Sequence, residues 1–151
     1  MSRKTYSGKF IPRFPEKYKG KVEEIFYRSS WELSFCNFCD LSSGVKFWSS
    51  EELVIPYKYS VDGRVHRYFV DFQFETISGD KFWIEIKPQC ETIPPKKPKR
   101  QSAKYIQDIE KYIKNRDKWY YADLAAKKAG VKFGVLTEHS LKGMGIKLLG
   151  K

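Results

Sequence analysis

Cysteine and histidine are scarce, three and two in a chain of 151 residues. An odd number of cysteines closes no complete disulfide framework, which points to a reducing, intracellular setting. Cys36 and Cys39 form a C-x-x-C pair, but no second pair follows. Cys90, His66 and His139 are scattered, so no zinc centre is expected. No apolar run approaches the roughly 20 residues of a membrane-spanning helix, so no membrane partner is expected. The first 21 residues carry charge without the apolar stretch of a secretory signal. Internal repeats are absent. Core material is not lacking: 41% of residues are hydrophobic and 17% aromatic. That is enough to bury one core at this length and to exclude wholesale disorder.

What the chain has in excess is positive charge, a net +11. The excess is concentrated. Met1–Lys21 holds seven basic residues and one acid, and Pro94–Lys118 holds nine and three. The remainder carries 13 basic and 14 acidic residues and is close to neutral. Two basic zones beside a balanced middle point to a polyanion, most often nucleic acid. A basic protein without such a partner is the plainer alternative.

The chain divides into a basic aromatic N-terminal arm, residues 1–21, and a domain, residues 22–151. Tyr6, Phe10, Phe14 and Tyr18 recur every four residues, but Gly8, Pro12 and Pro15 argue against a helix. An extended arm is expected, its aromatics docking on its own domain, on nucleic acid or on a protein partner. Arg28–Leu41 reads as a helix capped by Ser29, with Glu32 placed as in a capping box and Trp31, Phe35 and Phe38 on its core face. Phe47–Trp48 and Leu53–Tyr59 read as extended, Pro56 hinting at an edge. Asp62-Gly63 signals a turn into one alternating strand, Val65–Glu75, followed by the strand Lys81–Lys87. Pro94–Arg100 is a stiff basic loop. A long helix from Ser102 to about Ala129 stops at Gly130, Val131–Thr137 is a last strand, and the Gly/Lys-rich end reads as irregular. A strand that follows a helix can run parallel to a neighbour. The order implies a mixed α/β (α+β) domain, a small mixed sheet flanked by helices.

The hairpin Val65–Lys87 carries the chemistry. Tyr68, Val70, Phe72 and Phe74 share one face of its first strand, and Phe82, Ile84 and Ile86 one face of its second. Asp71, Gln73, Glu85 and Lys87 fall on the opposite side, away from the apolar layer. A three-residue loop Ile77-Ser78-Gly79 would pair Thr76 with Asp80 and, counting back, Asp71 with Glu85. Opposed residues have Cβ atoms roughly 5 Å apart, and two carboxylates that close repel unless a proton or cation lies between them. Mg²⁺, a hard cation that takes oxygen ligands, suits that pair, with Mn²⁺ as a substitute. Lys87, on the same face, can hold a water or neutralise a phosphate. Metal, acids and lysine together suit phosphodiester hydrolysis. Glu32 can reach the metal from the first helix, or serve only its capping box. The same acids also fit a hydrated strand surface. His66 and Arg67 precede the acid strand and can touch a phosphate or cap the sheet edge.

The spacing Glu32 … Asp71 … Glu85-Ile86-Lys87 resembles the PD-(D/E)xK nuclease superfamily. The text around it is more specific: Tyr27-Arg28-Ser29-Ser30-Trp31-Glu32, Trp48-Ser49-Ser50-Glu51-Glu52, Ile55-Pro56-Tyr57, Asp62-Gly63-Arg64-Val65-His66-Arg67-Tyr68-Phe69-Val70-Asp71-Phe72 and Ile84-Glu85-Ile86-Lys87-Pro88. Together these resemble the head-completion nucleases of contractile-tailed phages, a group related to the nuclease subunit of Tn7-type transposases. Val70 stands where the superfamily name has proline. The resemblance implies a restriction-endonuclease-like αβββαβ core and Mg²⁺-dependent endonuclease cleavage of double-stranded DNA. It implies Asp71, Glu85 and Glu32 as metal ligands and Lys87 as the catalytic lysine. It also implies an assisting polar residue on the long helix, for which Gln107, Asn115 and Lys118 remain open. Arg67, Lys96, Lys97, Lys99 and Arg100 are the expected DNA contacts. The implied role is head completion: processing DNA at the portal after packaging and letting the tail join. Portal, neck and tail proteins would be the partners, a homodimer would cut both strands, and the protein would reside in the host cytoplasm and then the virion. A non-catalytic protein binding DNA and portal, or a junction-resolving or restriction-type endonuclease outside virions, are the competing readings.

Overall fold

The computed structural model describes residues 6–148. Residues 1–5 of the arm and 149–151 of the domain lie outside the described residues. In chain order the elements are β1 (Gly8–Lys9), β2 (Phe26–Tyr27), α1 (Ser30–Leu41), β3 (Val45–Ser50), β4 (Val54–Lys58), β5 (Val65–Phe69), β6 (Phe72–Thr76), β7 (Lys81–Ile86), α2 (Ala103–Ala129), β8 (Lys132–Leu136) and α3 (Glu138–Gly143). Both long helices carry the caps their sequences announce. Ser29 Oγ accepts the Glu32 N–H at 3.1 Å, and Ser102 Oγ accepts that of Tyr105 at 3.2 Å. Gly130, at φ 72°, ends α2 in the left-handed region.

The central sheet has the order β3-β6-β7-β8, antiparallel except for the parallel pair β7–β8. Together with α1 and α2 it makes a mixed αβββαβ core, consistent with a restriction-endonuclease-like fold. The hairpin β4–β5 is inserted between the first and second strands as a separate two-stranded sheet.

That insertion corrects the reading of Val65–Glu75 as one strand. The Val70 N–H bonds to the Leu53 carbonyl, and the Glu51 N–H to the Asp71 carbonyl. These bonds turn the chain at residues 70–71 out of the hairpin and into the central sheet. Tyr68 and Val70 consequently pack in one core, while Phe72 and Phe74 pack in another. Alternation alone cannot see such a break, because the apolar period of two runs straight through it.

The first core lies between the sheet, α1 and the arm. It is built on Phe35, Trp48, Phe72, Ile84 and Ile86, all buried. Each such side chain stabilises by about 1.5–3 kcal/mol. The arm docks here on its own domain: Phe10 and Tyr18 are buried and meet Trp48 edge-on, with ring centroids 5.8 and 4.8 Å away. Burial holds the Tyr18 hydroxyl protonated, its pKa pushed up to about 12. The second core lies between the hairpin and α2, around Ile55, Tyr57, Tyr68, Val70 and Ala122.

The C-terminal region is more ordered than its composition implied. Thr137 and Ser140 form a capping box for α3, whose Leu141 is fully buried. Serine in place of Glu or Gln at the third helical position hid that signal. Among the described residues no helix is long and apolar enough to cross a membrane.

Candidate active site

The turn after β6 sets the register. Gly79 takes φ 93°, and the Thr76 N–H bonds to the Asp80 carbonyl at 2.8 Å. Phe72 then pairs with Ile84, and one step further Asp71 falls opposite Glu85, as the loop length implied. Asp71 does not continue the backbone ladder. Its Oδ2 accepts the Ile86 N–H at 2.9 Å, so the side chain takes over where the strand stops.

The surroundings differ from expectation. The acids do not emerge on a hydrated surface, because α2 and the hairpin cover that side of the sheet. Glu85 is only 5% exposed. The Tyr68 hydroxyl, from the hairpin, donates to Glu85 Oε2 at 2.5 Å. Burial and then the charge of Glu85 push the Asp71 carboxyl well above the usual carboxylate range. Glu32 adds to this from a distance, while the Ile86 N–H and Lys87 oppose it. Burial also raises Glu85, against the Tyr68 hydroxyl, Lys87 and Lys118.

Two lysines frame the acids. Lys87 Nζ lies 3.9 Å from Glu85 Oε1 and is partly open to solvent. Lys118 approaches from α2 with its ammonium 5.4 Å from the Tyr68 ring centroid. Burial lowers its pKa, against the attraction of Glu85 and Asp71. Of the three α2 candidates, Lys118 is therefore the one that faces the acids. Gln107 is exposed, and Asn115 is buried beside a cleft further along the helix.

Glu32 is held at the start of α1, where the expected capping box is only half made: Ser29 Oγ accepts the Glu32 N–H, but the Glu32 carboxylate reaches past the cap to Arg28. One carboxylate oxygen accepts the Arg28 N–H at 2.9 Å, and burial raises its pKa. Arg28 in turn is ion-paired to Glu51 at 2.9 Å. Glu51 has a left-handed backbone, φ 53°, uncommon for a residue with a side chain, and its N–H is bonded to Asp71. Sequence reasoning missed Glu51 and Tyr68. A tyrosine on an alternating strand reads as core, and a left-handed glutamate carries no motif.

The fit to a divalent cation rests on the donor set. Asp71 and Glu85 are hard oxygen donors held close by the sheet, and Asp71 keeps Oδ1 clear of hydrogen bonds among the described residues. A cation between them would relieve the repulsion that raises Asp71. No third partner joins them: among the described residues, no group of three or more His, Cys, Asp or Glu side chains is arranged to hold a metal. The pair fits Mg²⁺ as a two-carboxylate site, with Glu32 outside it.

The expected DNA contacts are all exposed. Arg67 lies on the outer side of β5 with its guanidinium 5.5 Å from the Phe69 ring centroid, and Lys96, Lys97, Lys99 and Arg100 lie on the loop between β7 and α2. His66 is taken up by Asp62, 2.7 Å away.

Two comparisons bear on this arrangement. The model of the TnsA-like endonuclease N-terminal family matches residues 42–138. That span includes Asp71, Glu85, Lys87 and Lys118 and leaves out Glu32. The head completion nuclease of Enterobacteria phage T4 is 40% identical over 146 residues, covering 94% of this chain and 97% of that protein.

Proposed function

The chain belongs to the TnsA-like endonuclease family, and from that membership we propose that it is a Mg²⁺-dependent DNA endonuclease acting in phage head completion. The observation that carries the reading is the buried carboxylate pair Asp71–Glu85 with Lys87 and Lys118 beside it. Such a constellation costs stability, and phosphodiester hydrolysis gives it a use.

Asp71 and Glu85 would hold the metal. When bound, Mg²⁺ supplies Lewis acidity to the phosphodiester and acidifies the attacking water; Mn²⁺ would substitute. The chain's own groups do the rest. The Ile86 N–H and the Tyr68 hydroxyl each fix one carboxylate oxygen, so neither acid reorients as charge develops. Lys87, at the opening, orients the water or neutralises charge on the reacting phosphate. Lys118 balances the acids from the helix side. Glu32 supports the site from α1 by its charge. Arg67 and the cations of residues 96–100 hold backbone phosphates, which makes binding salt-dependent.

In this reading residues 1–21 and 22–151 act as arm and nuclease domain, and the substrate is double-stranded DNA at the packaged head. Portal, neck and tail proteins are the partners, and a homodimer would cut both strands. The protein is located in the host cytoplasm during assembly and then at the portal and neck of the virion.

Plasmid nicking in Mg²⁺ against EDTA tests the reading, with Asp71→Ala and Lys87→Ala as comparisons. Wild-type nicking that needs the metal and disappears in both variants is expected. Equal nicking by all three proteins would sink the site assignment. DNA binding indifferent to Mg²⁺, without cleavage, would return the protein to a structural role. Preference for four-way junctions would place it outside virion assembly.

A further inference from the structure

Away from the acid pair, a cleft of about 450 Å³ lies between the loop that follows Lys87 and the first half of α2. Its helix wall is the stripe Asp108, Lys111, Tyr112 and Asn115. The spacing of three and four continues directly to Lys118, so the cleft and the acid site share one face of α2. At 1.5 Å per residue, Asn115 stands only about 4.5 Å of helix from Lys118.

The lining is built for a planar polar ligand carrying negative charge. Asn115 is 8% exposed and lines the cleft, and it is not among the described side chains whose polar atoms are buried without a partner. The amide atoms are open to the cleft, where a ligand can bond to them in place of water. Asparagine offers a donor and an acceptor side by side, the pattern that reads a base edge. Tyr105 and Tyr112 supply flat rings, and Ile93 and Pro95 apolar packing. Lys96, Lys104 and Lys111 supply charge for phosphates. The two acids in the lining, Glu91 and Asp108, can accept from exocyclic amino groups. A duplex is far too wide for this space, whereas one unpaired nucleotide fits it.

We propose that this cleft takes an unpaired nucleotide of the strand held at the acid site, making DNA ends with a single-stranded overhang the favoured substrate over blunt duplex. The proposal rests on the nuclease reading and names its substrate class. The base stacks on tyrosine, as in single-strand binding grooves, and Asn115 bonds to its edge.

The experiment is equilibrium binding of fluorescent duplexes in EDTA, blunt against carrying a short overhang of either polarity. Wild type is expected to prefer one overhang by at least tenfold. Asn115→Leu, Tyr112→Ala and the exposed Lys111→Glu are each expected to reduce that ratio to below threefold. Thermal melting of each variant identifies any that fails to fold, and Lys111→Glu, at the surface, keeps the test intact if the buried changes do. Equal wild-type affinity for all three duplexes, or an undiminished preference in folded variants, overturns the proposal. Because cleavage is not read, loss of the nuclease reading would show separately, as Mg²⁺-independent inertness on plasmid.

Discussion

Asp40 and Asp71 are both withdrawn from solvent, and they are used in opposite ways. Asp40, on α1, accepts the Arg13 and Phe14 N–H groups at 2.7 and 3.0 Å and fastens the arm to the domain. Asp71, across the sheet, has a single backbone donor and faces a second acid. The first carboxylate is satisfied by the fold, while the second is satisfied only when something positive arrives. The contrast extends to the two cores. The α1 side is an aromatic and aliphatic interior, whereas the α2 side is rich in tyrosine and encloses Glu85. A buried charge with its hydrogen bonds made is architecture, and one left opposed is stored potential for chemistry.

The contrast can be broken most strongly at the acid site. Glu85→Gln or Asp71→Asn should lower Mg²⁺-dependent nicking by roughly 10³-fold, about 4 kcal/mol of transition-state stabilisation, in single-turnover assays. Phe35→Ala, on the other side of the sheet, should cost about 3–5 kcal/mol in urea unfolding and leave the turnover of folded molecules intact. If the two kinds of substitution exchange their effects, the two faces do not divide structure from chemistry as described.

A smaller effect distinguishes the two aspartates. Asp40→Ala leaves two arm N–H groups without their acceptor and should destabilise by about 1–3 kcal/mol. Asp71→Asn keeps an oxygen for the Ile86 N–H while removing the opposed charge. It should stabilise the metal-free protein at neutral pH by about 1–2 kcal/mol, a Tm increase of roughly 2–8 °C. Calorimetry of both variants without metal would show shifts of opposite sign, and a fall in Tm for Asp71→Asn would refute the account.

The pH dependence sharpens the same point. Asp71 and Glu85 are raised in the folded chain, so between the unfolded and folded pKa values the native state binds more protons than the unfolded one. Stability of the metal-free protein from this pair is therefore present below the unfolded pKa and falls as pH rises through the folded pKa. A cation must displace the retained proton, so Mg²⁺ affinity should increase with pH over that window. Titration calorimetry in two buffers of different ionisation enthalpy would detect the released proton; a buffer-independent heat would count against it.

Much of this was legible in the chain. Ser29, Ser102 and Gly130 bounded the helices, Gly79 set the hairpin register, and the Asp71–Glu85 pairing followed from the loop length. The burial of that pair was not legible, because it depends on β4–β5 leaving the central sheet and on α2 lying over the acids. Nor was the choice of Lys118, since Gln107, Asn115 and Lys118 all sit on one helix and only the packing of α2 shows which faces the site.

The sequence by itself determined the two long helices, the hairpin register at Gly79 and the residue types for hydrolysis, because those follow from local rules of capping, turn geometry and spacing, while the break at residues 70–71 and the helix Glu138–Gly143 escaped it. Only the tertiary structure decided that the acids are buried, that Tyr68 and Lys118 attend them and that Glu32 stays with its helix. Those facts depend on which surface covers which, and coverage is set by contacts between residues far apart in the chain.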